Sequence, residues 1–190
     1  MDTAAVTRIV EDSLALKRRF FEAETPHLLE IGERIAERLI AGGRVLAFGN
    51  GGSAADAQHL VAELVVRFET DRRALSAMAL TTDPSILTAC ANDLGWDAVF
   101  ARQVEAHGRP GDVAIGISTS GNSANVIAGL TAARGLGLLT VGLTGRGGGD
   151  VAGVVDHLVD VPHERTARIQ EVHGMVVHLL CQIVDEALAE

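Results

Sequence analysis

Tyrosine is absent from this 190-residue chain, tryptophan occurs once and phenylalanine five times. A nucleic-acid or sugar surface built on stacked aromatic rings is therefore not expected. Positive charge is also scarce, with 16 Lys and Arg against 25 Asp and Glu and a formal net charge of −9. That balance argues against non-specific binding to nucleic acid or an anionic membrane. It leaves room for a small phosphate, because a few backbone N–H groups suffice to hold one. Only two cysteines occur, Cys90 and Cys181, in apolar helical contexts and without C-x-x-C spacing. They read as reduced core residues in a reducing compartment. No apolar run reaches about 18 residues, and no basic start precedes an apolar stretch. The expectation is a soluble, cytoplasmic protein.

What is present is ordinary globular composition, 47% apolar and 22% charged, in a chain the length of one domain. Glycine is abundant, at 21 residues, and clusters in what look like tight loops. Residues 3–22 and 27–41 read as two amphipathic helices. Val6, Ile9, Val10, Leu14 and Leu16 form much of a stripe that Phe20 and Phe21 extend. Pro26 suits the start of the second helix, and Gly42-Gly43 ends it. Two helices ahead of any strand have no sheet to cover, and a bundle with partner subunits is one natural use for them.

The pattern then alternates. Strand-like runs at Arg44–Phe48, Ala74–Leu80, Asp112–Ile117, Leu138–Leu143 and His157–Val161 are separated or followed by helical runs. Those lie at Ala54–Arg67, Pro84–Ala91, Asp97–Ala106, Ser123–Arg134 and Thr166–Leu188. Strands separated by helices imply an α/β fold, a parallel sheet of five strands with helices on both faces. No internal repeat or long linker divides the chain. The reading is one domain over residues 1–190, with 1–42 as a helical oligomerisation extension and 43–190 as the α/β core.

Ligands of open parallel sheets bind at the carboxyl ends of strands, and two turns there have suitable chemistry. The first, Gly49-Asn50-Gly51-Gly52-Ser53, permits close backbone approach and offers the Ser53 hydroxyl. It matches neither nucleotide-binding glycine fingerprint. The second, Ser118-Thr119-Ser120-Gly121-Asn122-Ser123, places four hydroxyls and a glycine at a helix N-terminus, a phosphate cradle that needs no lysine. Taken singly, its Ser and Thr residues are also good caps and turn formers. A third loop, Gly145–Gly149, reads as a tight connection.

His59 and Glu63 lie one helical turn apart, a usual pair for zinc or another divalent ion and equally a common surface ion pair. The last helical run carries Gln170, Glu171, His173 and His178. Apolar neighbours suggest that His178 is at least partly buried, and a buried imidazole needs a partner. Gln170 and His178 are eight residues apart, about 12 Å along one helix. One copy of that helix can hardly place both on one ion. A metal site using both therefore predicts active sites at the interfaces of an oligomer.

Together, GNGGSAADAQH, the AND of Ala91–Asp93, GDVAIGISTSGNSANVI and RIQEVH resemble the phosphoheptose isomerases of the sugar-isomerase (SIS) superfamily. The resemblance implies a flavodoxin-like three-layer sandwich. It implies conversion of sedoheptulose 7-phosphate to D-glycero-D-manno-heptose 7-phosphate, a step toward bacterial surface heptose. It also implies a homotetramer with one zinc per subunit at shared sites. Position by position, the metal ligands fall on His59, Glu63, Gln170 and His178. Substrate contacts fall on Asn50, Gly51, Ser53, Asp93, Ser118, Thr119, Ser120, Ser123 and Gln170. Glu63 matches the general base and His178 the acid. Some relatives carry an aspartate where this chain has Ala167, and Thr166 could supply a polar contact in its place. A related group, tetrameric proteins that bind the replication initiator, shares the pattern ARIQE and RFET at Arg67–Thr70. Those proteins lack the carboxylate and final histidine that this chain keeps, which favours the enzyme.

Overall fold

The computed structural model describes residues 1–189. Five parallel strands form one sheet: β1 (Val45–Gly49), β2 (Ala77–Ala79), β3 (Val113–Ser118), β4 (Leu139–Gly145) and β5 (His157–Val161). Their order is β2-β1-β3-β4-β5. β1 and β3 are buried along their whole length, as an apolar strand covered on both faces requires. The second strand is shorter than its apolar run suggested, three residues at the sheet edge.

Six helices cover the sheet: α1 (Thr3–Ile40), α2 (Gly52–Val65), α3 (Pro84–Asp93), α4 (Val99–His107), α5 (Ala124–Gly135) and α6 (Thr166–Ala189). A short 3₁₀ turn at Trp96–Ala98 leads into α4. One core lies between the sheet and α1, α2 and α6, holding Ile31, Ile35, Leu60, Ile115, Val172 and Val176. The other lies between the sheet and α3, α4 and α5, where Phe48 stacks on Phe100 with ring centroids 5.1 Å apart. The three-layer α/β sandwich is as expected.

The N-terminal region differs from the expectation. Residues 3–40 form one helix that passes through Pro26. Proline removes one i→i−4 hydrogen bond and crowds the preceding turn. Here the carbonyl it deprives belongs to the exposed Glu22, where water can serve it, and Thr25 Oγ1 donates to Phe21 O at 2.5 Å. Meanwhile Leu16, Phe20, Leu28, Ile31, Ile35 and Leu39 keep one buried stripe against α6 across the proline. Continuous burial outweighs one lost bond. The helix stops as the glycines predicted: Gly42 adopts φ 89° and Gly43 N donates to Arg38 O at 2.9 Å, an αL termination. Val6, Val10 and Leu14, at the start of the helix, stay exposed.

By length and composition alone α6 could cross a membrane. Its buried stripe, from Ile169 to Val184, instead packs into the core beside α1 and α2.

Candidate functional site

The chain leaves β1 toward the sheet edge at β2, then returns to β3 on the other side of β1. The strand order reverses between β1 and β3, and a crevice opens at their carboxyl ends. Both turns singled out in the sequence leave those two strands. Gly51, with φ 58° and ψ −120°, is the N-cap of α2, a conformation that favours glycine. Gly49 approaches Ile117 O so closely that a Cβ there would come within 2.8 Å of it. Ser53 is buried, its amide bonded to Asn50 O at 3.1 Å.

The second turn gathers its hydroxyls. Ser118 Oγ lies 2.9 Å from Ser123 Oγ and 3.4 Å from Ser120 Oγ. Ser123 occupies the N-cap of α5, yet its side chain makes no capping bond. It faces Ser118 instead, so the hydroxyl cluster and the positive end of α5 are directed at one place. Thr119 is half-buried beside them. The two turns are tied together by Asn50 and Asn125, whose amides exchange two bonds of 2.9 Å each. Asn125 was not singled out in the sequence, although a polar residue in the first turn of α5, two positions past Ser123, was a usable signal.

The Gly145–Gly149 loop is the tight connection expected, and it also backs the second turn. Asp150 N donates to Asn122 Oδ1 at 3.0 Å and Val151 N to Gly121 O at 3.0 Å. Gly121, at φ 67°, passes so near Gly148 O that a side chain there would overlap it. His173 secures the same region from behind, with Nε2 2.8 Å from Thr144 O.

This corrects one expectation about the histidines of α6. His178, expected to be at least partly buried, is exposed, and His173 is fully buried. Both sit among apolar residues in sequence, and helix phase decides: His173 falls on the stripe with Ile169, Val172, Val176 and Val177, and His178 one residue beyond it. Burial pulls His173 down to about 4, against the raising effects of the Thr144 carbonyl and Asp160. Its Nδ1 has no hydrogen-bond partner among the described residues.

His178 faces the helical pair. His59 Nε2 lies 3.1 Å from Glu63 Oε1 and 3.3 Å from His178 Nε2, and the two imidazoles meet edge to face at 4.9 Å. Phe68 covers His178 from the side, with ring centroids 5.5 Å apart. One turn before His59, Asp56 has a buried Oδ2 without a partner among the described residues. Burial raises its pKa, and the charge of His59 opposes this.

Gln170 is placed elsewhere. Its amide rests on Gly52, where any Cβ would overlap it. α2 and α6 therefore run side by side in one direction. Gln170 meets the start of α2, and His178 meets His59 two turns further on. Within one chain Gln170 joins the first turn and not the His59–Glu63–His178 group, as the 12 Å separation along the helix requires. Asp93 is exposed at the end of α3, where its Oδ1 accepts from Asn92 Nδ2 at 2.7 Å.

Among the described residues no complete group of three or more His, Cys, Asp and Glu side chains is set to hold a metal ion. His59 pairs with both Glu63 and His178, and among the described residues no hydrogen bond or ion pair joins Glu63 to His178. The two existing separations nevertheless suit zinc. Bonds of about 2.0–2.2 Å in a tetrahedron put neighbouring donors about 3.3 Å apart. As metal donors the three side chains form an incomplete set. The crevice is likewise small in the single chain, about 110 Å³ bounded by Asn50, Gly51, Thr81, Trp96 and Phe100. Small-molecule sites ordinarily occupy at least about 300 Å³.

Residues 10–145 match the SIS domain family model. The chain is 56% identical to the phosphoheptose isomerase of Roseiflexus sp. strain RS-1 over 181 residues, 95% of this chain and 92% of that protein. It is 52% identical to the phosphoheptose isomerase of Aquifex aeolicus over 185 residues, 97% of each. Among solved structures, phosphoheptose isomerase GmhA of Neisseria gonorrhoeae superposes with a TM-score of 0.90 at 44% identity, covering 96% of this chain and 98% of that one. A phosphoheptose isomerase of Francisella tularensis gives 0.94 at 35% identity, covering 98% and 100%.

Proposed function

The chain belongs to the SIS-domain family and, within it, to the phosphoheptose isomerases, and we propose from this that it interconverts sedoheptulose 7-phosphate and D-glycero-D-manno-heptose 7-phosphate in bacterial heptose biosynthesis. Near-complete alignment with relatives of that name at above 50% identity carries the reading. The two turns and the His59–Glu63–His178 group support it. Initiator binding by a regulator is disfavoured, because this chain keeps both Glu63 and His178, and each contacts His59.

The reaction moves a proton between C1 and C2 of the sugar through a cis-enediol. Ser118, Thr119, Ser120 and Ser123 take the 7-phosphate at the N-terminus of α5, where dipole and amides favour the dianion. Holding the distant end aligns the reacting carbons. Asn50, Gly51, Ser53 and Asp93 contact the sugar. Glu63 removes the proton from one carbon and returns it to the other, and His178 passes protons between the two oxygens. A divalent ion such as zinc, held by His59, Glu63 and His178, would polarise the sugar carbonyl as a Lewis acid. Gln170 of the partner subunit would complete the ligand set, while each chain's own Gln170 meets the sugar turn.

That arrangement calls for an oligomer, read here as a cytoplasmic homotetramer. The supporting observations are the incomplete donor set, the shallow crevice and two unpartnered apolar surfaces. One is the exposed Val6, Val10 and Leu14; the other is a groove of about 370 Å³ between α1 and α6, lined by Phe21, Leu28, Leu29, Met175, Leu179 and Ile183.

The test is incubation with sedoheptulose 7-phosphate, with added zinc and with chelator, following aldose formation. Zinc-dependent turnover is expected. A folded, zinc-loaded oligomer that leaves the ketose unchanged would overturn the isomerase reading. In the same assay Glu63→Gln should fold, bind the sugar phosphate and lose about 10²–10⁴-fold in kcat, the usual contribution of a positioned base. Full activity would remove Glu63 from that role.

A further inference from the structure

The catalytic crevice lies at the carboxyl ends of the strands. A second polar cavity, of about 380 Å³, lies at their amino ends, below β4 and β5. Arg34 and Arg38 enter it from the last two turns of α1, and Arg134 enters from the last turn of α5. These helices cover opposite faces of the sheet, so the guanidinium groups meet around its rim, over Leu138 and Leu139. His157 also lines the cavity, its Nδ1 3.3 Å from His27 Nε2.

Three positive groups around one cavity are unusual in a chain of net charge −9. Burial of structural ion pairs does not account for them. Arg38 makes no side-chain hydrogen bond or ion pair among the described residues. Arg34 has only Glu37, at 3.6 Å with both side chains more than half exposed. Arg134 has only a long bond, 3.4 Å, to Gly153 O. One carboxylate lines the cavity, Asp156, and its Oδ2 accepts from Thr140 N at 2.9 Å and Thr140 Oγ1 at 2.8 Å. The cavity thus gathers three guanidinium forks around one carboxylate, with most of their N–H donors unengaged. Guanidinium forks match phosphate oxygens bidentately, and the volume falls within the range that holds small molecules.

We propose that this amino-end cavity is a second anion site, binding a phosphate-bearing small molecule through Arg34, Arg38 and Arg134. It is separate from the serine-lined turn, which lies a full strand length away at the other end of β3 and β4. The site does not depend on the isomerase reading, because none of its residues belongs to the crevice.

The experiment is calorimetric titration of the full-length protein with inorganic pyrophosphate. It compares the unaltered chain with Arg38→Gln/Arg134→Gln, Arg38→Lys/Arg134→Lys and Ser120→Ala. The expected result is a salt-sensitive binding component that weakens at least about tenfold in the glutamine pair. Lysine should restore part of it, and Ser120→Ala should leave it in place. Turnover of sedoheptulose 7-phosphate without pyrophosphate should be unchanged in the glutamine pair. A component lost with Ser120→Ala and kept in the glutamine pair would assign all binding to the crevice and overturn the proposal. So would a change in oligomer mass in the glutamine pair, which would show that the arginines seat acidic groups of another subunit. Should the glutamine pair fail to fold, the exposed Arg34→Gln gives the same comparison with the same two readings.

Discussion

The placement of His59 and Glu63 against His178 depends on how α2 is held to α6, and one buried ion pair ties the end of α2 to α6 beside their shared apolar core. Arg72 Nε donates to Asp185 Oδ1 at 2.6 Å, with the two side chains 7% and 3% exposed. The remaining Arg72 nitrogens donate to Leu64 O at 2.9 Å and Glu63 O at 2.8 Å, carbonyls that the end of α2 leaves without helical partners. Asp185 Oδ2 also accepts from Thr70 Oγ1 at 3.0 Å. Burial pushes the Asp185 carboxyl up, but its bonds to Arg72 and Thr70 outweigh this and hold it below the ordinary carboxylate value. Arg72→Ala strips the main partner from a buried carboxylate and removes the donor to Glu63 O, while Leu64 O keeps Leu75 N at 3.2 Å. Removing one member of a buried pair costs about 3–5 kcal/mol, a large share of a typical stability of about 5–15 kcal/mol. In urea, with a slope of about 2–3 kcal/mol/M for a chain of this size, the midpoint should fall by 1 M or more at fixed protein concentration. The pH dependence has a definite sign. A carboxylate whose folded pKa is depressed contributes its full stability above the unfolded value near 3.8 and loses it as pH falls through the folded value. In Arg72→Ala that acid-side loss should shrink. Arg72→Met/Asp185→Leu should recover much of the midpoint, since no charge is then left buried. A loss under about 1 kcal/mol for Arg72→Ala, typical of an exposed pair, would refute the reasoning.

His173 should produce a second pH effect. Its folded pKa of about 4 lies below the ordinary 6.5, so its contribution is complete above pH 6.5 and is lost as pH falls toward 4, on the order of 3 kcal/mol. His173→Asn should flatten the urea midpoint against pH across that window. Gly121→Ala forces a side chain onto Gly148 O at a φ of 67°. It should raise KM for the sugar phosphate about tenfold or more and destabilise by about 1–3 kcal/mol, with little change in binding of zinc followed by competition with a chromophoric chelator. Gly32→Ala puts a methyl 2.6 Å from Ile183 Cγ2. About 1–3 kcal/mol should be lost in thermal unfolding and largely regained in Gly32→Ala/Ile183→Ala.

Much of the architecture was legible in the sequence because its signals are local. Apolar runs of five to seven residues divided by amphipathic segments specify parallel strands and crossovers, and four of the five strands have both boundaries within two residues of the runs. Gly42, Gly51 and Gly121 mark the helix end and the two turns, since each takes a positive φ that other residues resist. The same glycines and serines form the turns at the carboxyl ends of β1 and β3, where this strand order opens a crevice. The separation of Gln170 from His178 along one helix was equally available from the rise per residue.

Other features are set by contacts between distant parts of the chain, which local patterns do not encode. Pro26 reads as a helix start, and only the continuous burial of Leu16 through Leu39 against α6 carries the helix across it. His173 and His178 look alike in sequence, and the phase of α6 against the sheet decides which is buried. Asn50 meets Asn125, Arg72 meets Asp185, and Arg134 approaches Arg34 and Arg38 only once the sheet brings its two helical layers to common edges. The sequence by itself determined the elements and the turns, because dihedral preference and periodicity act over a few residues. Tertiary structure alone decided which side chains face one another, because that depends on how the helices pack over the sheet.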